Sequence, residues 1–369
     1  MDPAARYLAA VRGEPVDRVP LILEGFHFAT RAAVEAHPDP GRREIGHRVF
    51  DDMIHYVEQP AYVNRYLVTP PQCMAHRAEE IGQGVVRTTT TIHTPIGDLT
   101  AVTERNAGTD TVWTVRYPAE TAEDVARLAS VPWERPEGLS SPDLDALPAG
   151  WRARGVLQAK VSSPVVCVGG MMPYDRFLEL CAADLPLVTE LTEECARRIL
   201  DVLDVLFSRP GIEYLWIGGC EWLTPPMGSP RLYEALVQPY EAAIIAKAHA
   251  HGAACHVHCH GRVRSTLPLV VARGADYFEP MEPPPDGDLT MAEGKSLAAG
   301  RMTLGGNIEA RLLAHGDVDD VERATREAFA GGKERMVLQT SAGPLAEMTP
   351  RMVANYHRML DVWEEMSPL

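Results

Sequence analysis

Three histidines at alternate positions, His256, His258 and His260, are the residues whose type and spacing point most directly to chemistry. They lie in the run His256-Val257-His258-Cys259-His260-Gly261. On an extended strand, successive side chains point to opposite faces. The three imidazoles therefore share one face, and Cys255, Val257 and Cys259 share the other. Two imidazoles two residues apart can both reach a single ion, and neutral imidazole suits zinc, iron or nickel. A catalytic zinc commonly carries two His and one carboxylate and keeps one position open. Glu221 follows the apolar segment 214–218 and is the natural third ligand, so the expected metal set is His258, His260 and Glu221. If the strand ends early, the Cys259 thiolate replaces His260. Iron in a two-His-one-carboxylate site is the alternative to zinc.

Other polar residues recur just after apolar segments: Glu24, Cys220, Glu279, Glu282, Asn307, Glu309, Gln339 and Ser341. Glu282 precedes three consecutive prolines that stiffen its loop, and Asn307 follows Gly305-Gly306. Both are expected to orient a substrate, with Glu24 assisting from the first strand. Asp288 is expected only to cap a helix. Gly169-Gly170 with Tyr174 is a weaker candidate for a substrate loop.

These residues need a scaffold that gathers strand ends. From about 154 onward, short apolar segments alternate with amphipathic helical patterns, six strands in all. They lie near 156–161, 214–218, 254–258, 277–279, 302–305 and 336–340, with a first strand upstream at 18–24. Such a rhythm implies parallel strands joined by helical crossovers. The expected fold is α/β, a (β/α)8 TIM barrel forming one domain over 1–369, with a helical segment at about 3–12. The eighth strand is expected within 60–120. A Thr- and Val-rich stretch at 85–117, with turn signals at Gly97-Asp98 and Gly108-Thr109, reads as a β-hairpin excursion. Helical periodicity covers 42–57, and Thr121 to Asp124 reads as a capping box opening another helix. A doubly wound open sheet is the alternative. In a barrel, catalytic groups come from the C-terminal strand ends and the loops after them.

Composition narrows the partners. The chain has 369 residues, 51 acidic and 35 basic, for a net charge of −16, with no basic stripe. Nucleic acid and anionic membrane surfaces are therefore disfavoured, and small molecules are favoured. Seven cysteines, an odd and scattered set, do not form a disulfide framework. With no apolar signal core in the first six residues, a cytoplasmic location is expected. No P-loop, GxGxxG, GxSxG or HExxH pattern occurs, which removes the usual support for nucleotide and serine-hydrolase chemistry.

Four segments in order carry a resemblance: Asp17-Arg18-Val19-Pro20, the strand ending His258-Cys259-His260-Gly261, Gly305-Gly306-Asn307-Ile308-Glu309, and Thr349-Pro350-Arg351-Met352. The chain resembles the uroporphyrinogen decarboxylase superfamily, including its cobalamin-dependent and coenzyme M methyltransferase branch. The resemblance spans nearly the whole chain. It implies a barrel with a deep cleft at the strand C-termini, and a homodimer. Porphyrinogen decarboxylases of that family carry an arginine-rich signature after the first strand. Here the stretch is Leu21-Ile22-Leu23-Glu24-Gly25-Phe26-His27, an acid without arginine, which would repel a polycarboxylate. The methyltransferase branch binds zinc through H-x-C-G and a distant Cys. This chain has His260 in the Cys position and Gln339-Thr340-Ser341 in place of the distant Cys. Harder ligands replace sulfur, which favours Glu221 as the third.

The leading expectation is a zinc-dependent methyltransferase for a small substrate. Because the chain has no DxHxxG corrinoid-binding segment, a separate methyl-corrinoid protein would supply or accept the methyl group. The rivals are a decarboxylase or C–C lyase that needs no corrinoid, and a non-catalytic small-ligand binding protein.

Overall fold

A computed structural model describes residues 1–61, 63–106 and 112–369. Eight parallel strands form one curled sheet: β1 (Leu21–Ile22), β2 (His55–Gln59), β7 (Gly155–Ser162), β8 (Tyr214–Gly218), β9 (Ala254–His258), β10 (Tyr277–Glu279), β11 (Thr303–Gly305) and β12 (Met336–Gln339). Four further strands, β3 (Met74–Glu80), β4 (Val85–Ile92), β5 (Leu99–Asn106) and β6 (Val112–Arg116), make a separate antiparallel sheet.

The large sheet runs in the order β1-β12-β11-β10-β9-β8-β7-β2, so each strand from β7 to β12 lies beside its sequence neighbour. That is the (β/α)8 barrel arrangement, and the intervening helices cover its outer face. The edge strands β1 and β2 share no ladder among the described residues, and side chains span this seam. His27 Nδ1 lies 3.3 Å from the carbonyl of Ile54.

The eighth strand is β2, not a segment of 60–120. The helical periodicity at 42–57 holds only for Pro40–Val49, after which Met53 and Ile54 lead into β2. Apolar residues resume at Met53 and Ile54 after only Asp51-Asp52, so a periodicity test carries one helix across the turn. The excursion begins earlier than 85 and has four strands. β3 is almost entirely exposed, so it carries no apolar alternation to announce it. Gly108 and Thr109 lie outside the described residues. Thr121 caps the helix Ala122–Ala129 through the capping box with Asp124, as the sequence indicates.

One end of the barrel is sealed. The N-terminal helix Pro3–Arg12 lies across the N-terminal end of the barrel, where Thr303 Oγ1 donates to the Ala10 carbonyl. Tyr7 reaches inward to the hydroxyls of Tyr56 and Tyr214. Together with Tyr277 these rings fill the lower lumen, and all lie in one buried cluster or pack against it. Access to the interior is left at the C-terminal strand ends. No helix among the described residues is long and apolar enough to cross a membrane.

Candidate metal centre at the barrel mouth

The alternation expected for β9 holds. Cys255, Val257 and Cys259 are fully buried in the core between sheet and helices. The His256 ring lies among lumen aromatics, its centroid 4.7 Å from Tyr277 and 5.7 Å from Tyr214. Register then decides what the imidazoles meet. On the neighbouring strand, Tyr277 stands opposite His256 and Glu279 stands opposite His258. Gly305 makes the space for this, since a Cβ there would run into the Tyr277 hydroxyl and the Glu279 side chain.

Glu279 is the hub. His256 Nε2 and His258 Nδ1 each approach its Oε1 at 2.7 Å, and Gln339 Nε2 donates to its Oε2 at 2.9 Å. The Tyr277 hydroxyl in turn donates to Gln339 Oε1. Although Glu279 is buried, its two histidine partners hold its carboxyl far below the usual carboxylate range. Burial alone would depress His258, but the Glu279 charge and hydrogen bond outweigh it and raise its pKa to about 9. For His256, farther inside, burial wins and its pKa is lowered.

His260 repeats the pattern one step outward. Its Nδ1 lies 2.7 Å from Glu282 Oε1, while Glu282 Oε2 accepts from the Gly261 amide at 2.9 Å. The rings of His258 and His260 are 4.7 Å apart at a near right angle. Each of the two imidazoles is thus oriented through Nδ1 by a largely buried carboxylate, and each keeps Nε2 uncommitted. Metal-ligating histidines characteristically use their second nitrogen in this way, which fixes tautomer and ring orientation. The donor chemistry fits a divalent zinc ion on the two Nε2 atoms.

The third expected ligand is placed differently. The ligand atoms of His258, His260 and Glu221 do not all lie within 4.8 Å of one another; Glu221 is gathered instead with Cys220 and Cys259. Its Oε2 accepts from the Gly219 amide at 3.0 Å, in the short 3-10 turn Cys220–Leu223.

A cavity of about 470 Å3 opens above Glu279, lined by Glu24, Tyr56, Glu58, Gln158, Lys160, Trp216 and His258 among others. Glu24 therefore reaches the cavity. Glu282 is directed at His260 and the backbone after it, so its demonstrated contact is with a proposed ligand. Asn307 is buried with its side-chain oxygen unpartnered. Asp288 does not cap a helix: its side chain accepts from the Arg264 amide, and Thr290 caps Met291–Ala298 through a capping box with Glu293. Thr290 wins because Glu293 lies at the position that reaches back to the cap. Tyr174 latches the 220–228 loop, donating to the carbonyls of Trp222 and Met227.

The sequence model of the uroporphyrinogen decarboxylase (URO-D) family matches residues 115–363, from the last strand of the small sheet to the final helix. The chain belongs to that family. No curated protein sequence matches this family member. Its fold is similar to that of a methyltransferase from Methanosarcina mazei, with TM-score 0.60 and 16% identity over 99% of each chain. A B12-independent methionine synthase from a Shewanella species, solved with selenomethionine, gives TM-score 0.43 and 9% identity over 94% of this chain and 96% of the other.

Several residues of the family member's site were not assigned a role from sequence. Glu279 and Gln339 were visible as strand-end polar residues, but only the register between parallel strands makes Glu279 the hub. Lys160 and Trp216 lie on strands that read as ordinary core segments, and Glu58 lies on β2, which did not read as a strand from sequence. Lys160 pairs with Glu58 at 2.7 Å across β7 and β2, a pairing of strands distant in sequence.

Glu309 provides a pH test near the mouth. Ser341 Oγ lies 3.2 Å from its Oε2, and burial together with the nearby Glu282 charge pushes its pKa from 4.5 up to about 7. Between those values the folded chain holds a proton that the unfolded chain has released, so stability falls as pH rises through this window. Glu309→Gln is expected to flatten that slope and to stabilise the protein above pH 7 by on the order of 1 kcal/mol, solvent screening having reduced the full linkage value. Urea denaturation at about pH 5 and about pH 8 reads it. An identical slope in wild type and variant would contradict the assignment.

Proposed function

We propose that this protein is a zinc-dependent methyltransferase acting on a small substrate, with the methyl group passing to or from a corrinoid carried by a separate protein. The observation that carries this reading is the paired imidazoles, each fixed by a carboxylate and each presenting Nε2 toward an open mouth. Membership of the uroporphyrinogen decarboxylase family and the fold similarity to the Methanosarcina mazei methyltransferase support it. The absence of arginine over Leu21 to His27, where Glu24 lines the cavity, weighs against porphyrinogen decarboxylation.

His258 and His260 would hold the ion, with Glu221 reaching it by rotation of its side chain. A zinc ion there would lower the pKa of a substrate thiol or water and so supply a nucleophile at neutral pH. The chain's own residues have separable tasks. Glu279 fixes the His258 ring and is itself fixed by Gln339; Glu282 does the same for His260. Trp216, with its ring 5.3 Å from His258, walls the cavity and excludes water from one side of that imidazole. Glu24 and Asn307 would orient the substrate. We place the reaction in the cytoplasm of the cell, carried out by a homodimer.

The test is methyl transfer from a methyl-corrinoid to a panel of small thiols, followed by loss of the corrinoid's methyl absorbance. Turnover that stops on chelation and returns with zinc is the expected result. Methyl transfer unaffected by exhaustive chelation would contradict the zinc dependence, and no methyl transfer to any thiol would contradict the methyltransferase reading itself.

A further inference from the structure

Behind the strand tips, on the face of β9 opposite the imidazoles, the sulfurs of Cys220 and Cys259 and a carboxylate oxygen of Glu221 all lie within 4.8 Å of one another. Both cysteines are fully buried, while Glu221 is partly exposed. Each thiol faces a backbone carbonyl at long range, Cys220 at 3.8 Å from that of His258 and Cys259 at 3.6 Å from that of His260. Thr224 Oγ1 donates to the Cys220 carbonyl at 3.1 Å and lies 3.2 Å from the Cys259 sulfur, adding a further oxygen to the group. The Gly219 amide anchors one oxygen of Glu221 and leaves the other uncommitted.

A second triple of possible ligands, His249, Cys255 and Asp276, lies at the opposite end of the barrel and serves as a comparison. There the carboxylate is already engaged, since Asp276 Oδ2 takes the His249 ring nitrogen and the Cys255 amide, each at 2.7 Å. Ordinary hydrogen bonding accounts for that group. In the Cys220 group one oxygen of Glu221 stays free beside the two sulfurs, so hydrogen bonding leaves a ligand atom unused there.

We propose that Cys220, Cys259 and Glu221 form a binding site for a thiophilic divalent cation, zinc being the natural occupant, separate from the imidazole pair. Two thiolates and one carboxylate are a recognised donor mix for zinc, and soft sulfur selects against magnesium and calcium. In a tetrahedral site with metal–ligand bonds of about 2.0–2.3 Å, donor atoms stand roughly 3.3–3.8 Å apart, so small side-chain rotations suffice. Each thiol gives up its proton to solvent as its sulfur binds, and the metal keeps its oxidation state. Glu221 is the exposed member and the entry point. Thr224 Oγ1 or a water takes the fourth position. The site stands whether or not the imidazoles bind an ion, and a carboxylate with two oxygens can serve either centre.

Cobalt titration of the full chain, kept reduced with a non-chelating phosphine, tests this directly. Thiolate ligation produces an intense near-ultraviolet sulfur-to-cobalt charge-transfer band that nitrogen and oxygen ligands do not. The band is expected in wild type, unchanged in His258→Ala/His260→Ala, and lost in Cys220→Ser/Cys259→Ser. Cadmium NMR on wild type needs no substitution and is expected to show a resonance in the sulfur-ligated range. No charge-transfer band in wild type, or a band that survives replacement of both cysteines, overturns the proposal. Because the His258→Ala/His260→Ala protein reports separately, failure here is distinguishable from failure of the mouth reaction.

Discussion

Replacing His258 and His260 by alanine is expected to abolish methyl transfer, with ion binding at the mouth reduced to background and the fold intact. Both rings lie at the open end of the barrel, and His260 is substantially exposed, so little apolar packing is lost. The variant leaves Glu279 bonded to His256 and Gln339, which limits the structural cost. A milder substitution separates orientation from ligation. Glu279→Gln keeps both ligands but removes the charge that orients His258, and outer-shell changes of this kind typically cost about 10–100-fold in metal affinity. A pH dependence follows. With its pKa raised to about 9, the His258 ring is protonated at neutral pH, and that proton competes with the ion. Affinity should therefore rise with pH, by roughly tenfold per unit below 9 for a single displaced proton. Competition titration with a zinc chelator across that range reads it, and an affinity independent of pH would contradict the assignment.

The second large effect is on stability. Arg273 and Glu241 form an ion pair with both side chains wholly buried between helices behind β8 and β9. The charges are 2.5 Å apart, yet that contact lacks hydrogen-bond geometry; Arg273 donates instead to the Tyr233 hydroxyl and to Gln238 Oε1. Burial pushes the Glu241 carboxyl up, and the guanidinium beside it opposes that rise. Removing one partner leaves a charge uncompensated in the core. Arg273→Met is expected to destabilise the fold by about 3–5 kcal/mol, whereas Arg273→Met/Glu241→Leu should recover most of that loss. Chemical denaturation of both variants checks the difference. A double variant as unstable as the single one would show that packing, not charge, dominates there.

These outcomes depend on features of unequal visibility in the sequence. The six strands after residue 154 were legible because each is a short apolar run bounded by a helix that repeats every three to four residues. His258 and His260 were legible because alternation on one strand is a local property. Glu279 was visible as a polar strand end, but its hub role depends on which residue of β10 faces His258, and cross-strand register is not written in either strand alone. β2 was hidden because Met53 and Ile54 extend the apolar pattern of the preceding helix. The placement of Glu221 turns on the left-handed Gly219, at φ 111°, which starts the turn that aims the carboxylate toward the thiols. A strand-then-loop reading could not anticipate that turn.

A crystal structure of the protein soaked in zinc examines the central claim most directly. Anomalous density is expected within bonding distance of the Nε2 atoms of both His258 and His260, with their Nδ1 atoms still held by Glu279 and Glu282. Zinc-saturated crystals with no ion touching either imidazole would contradict the account.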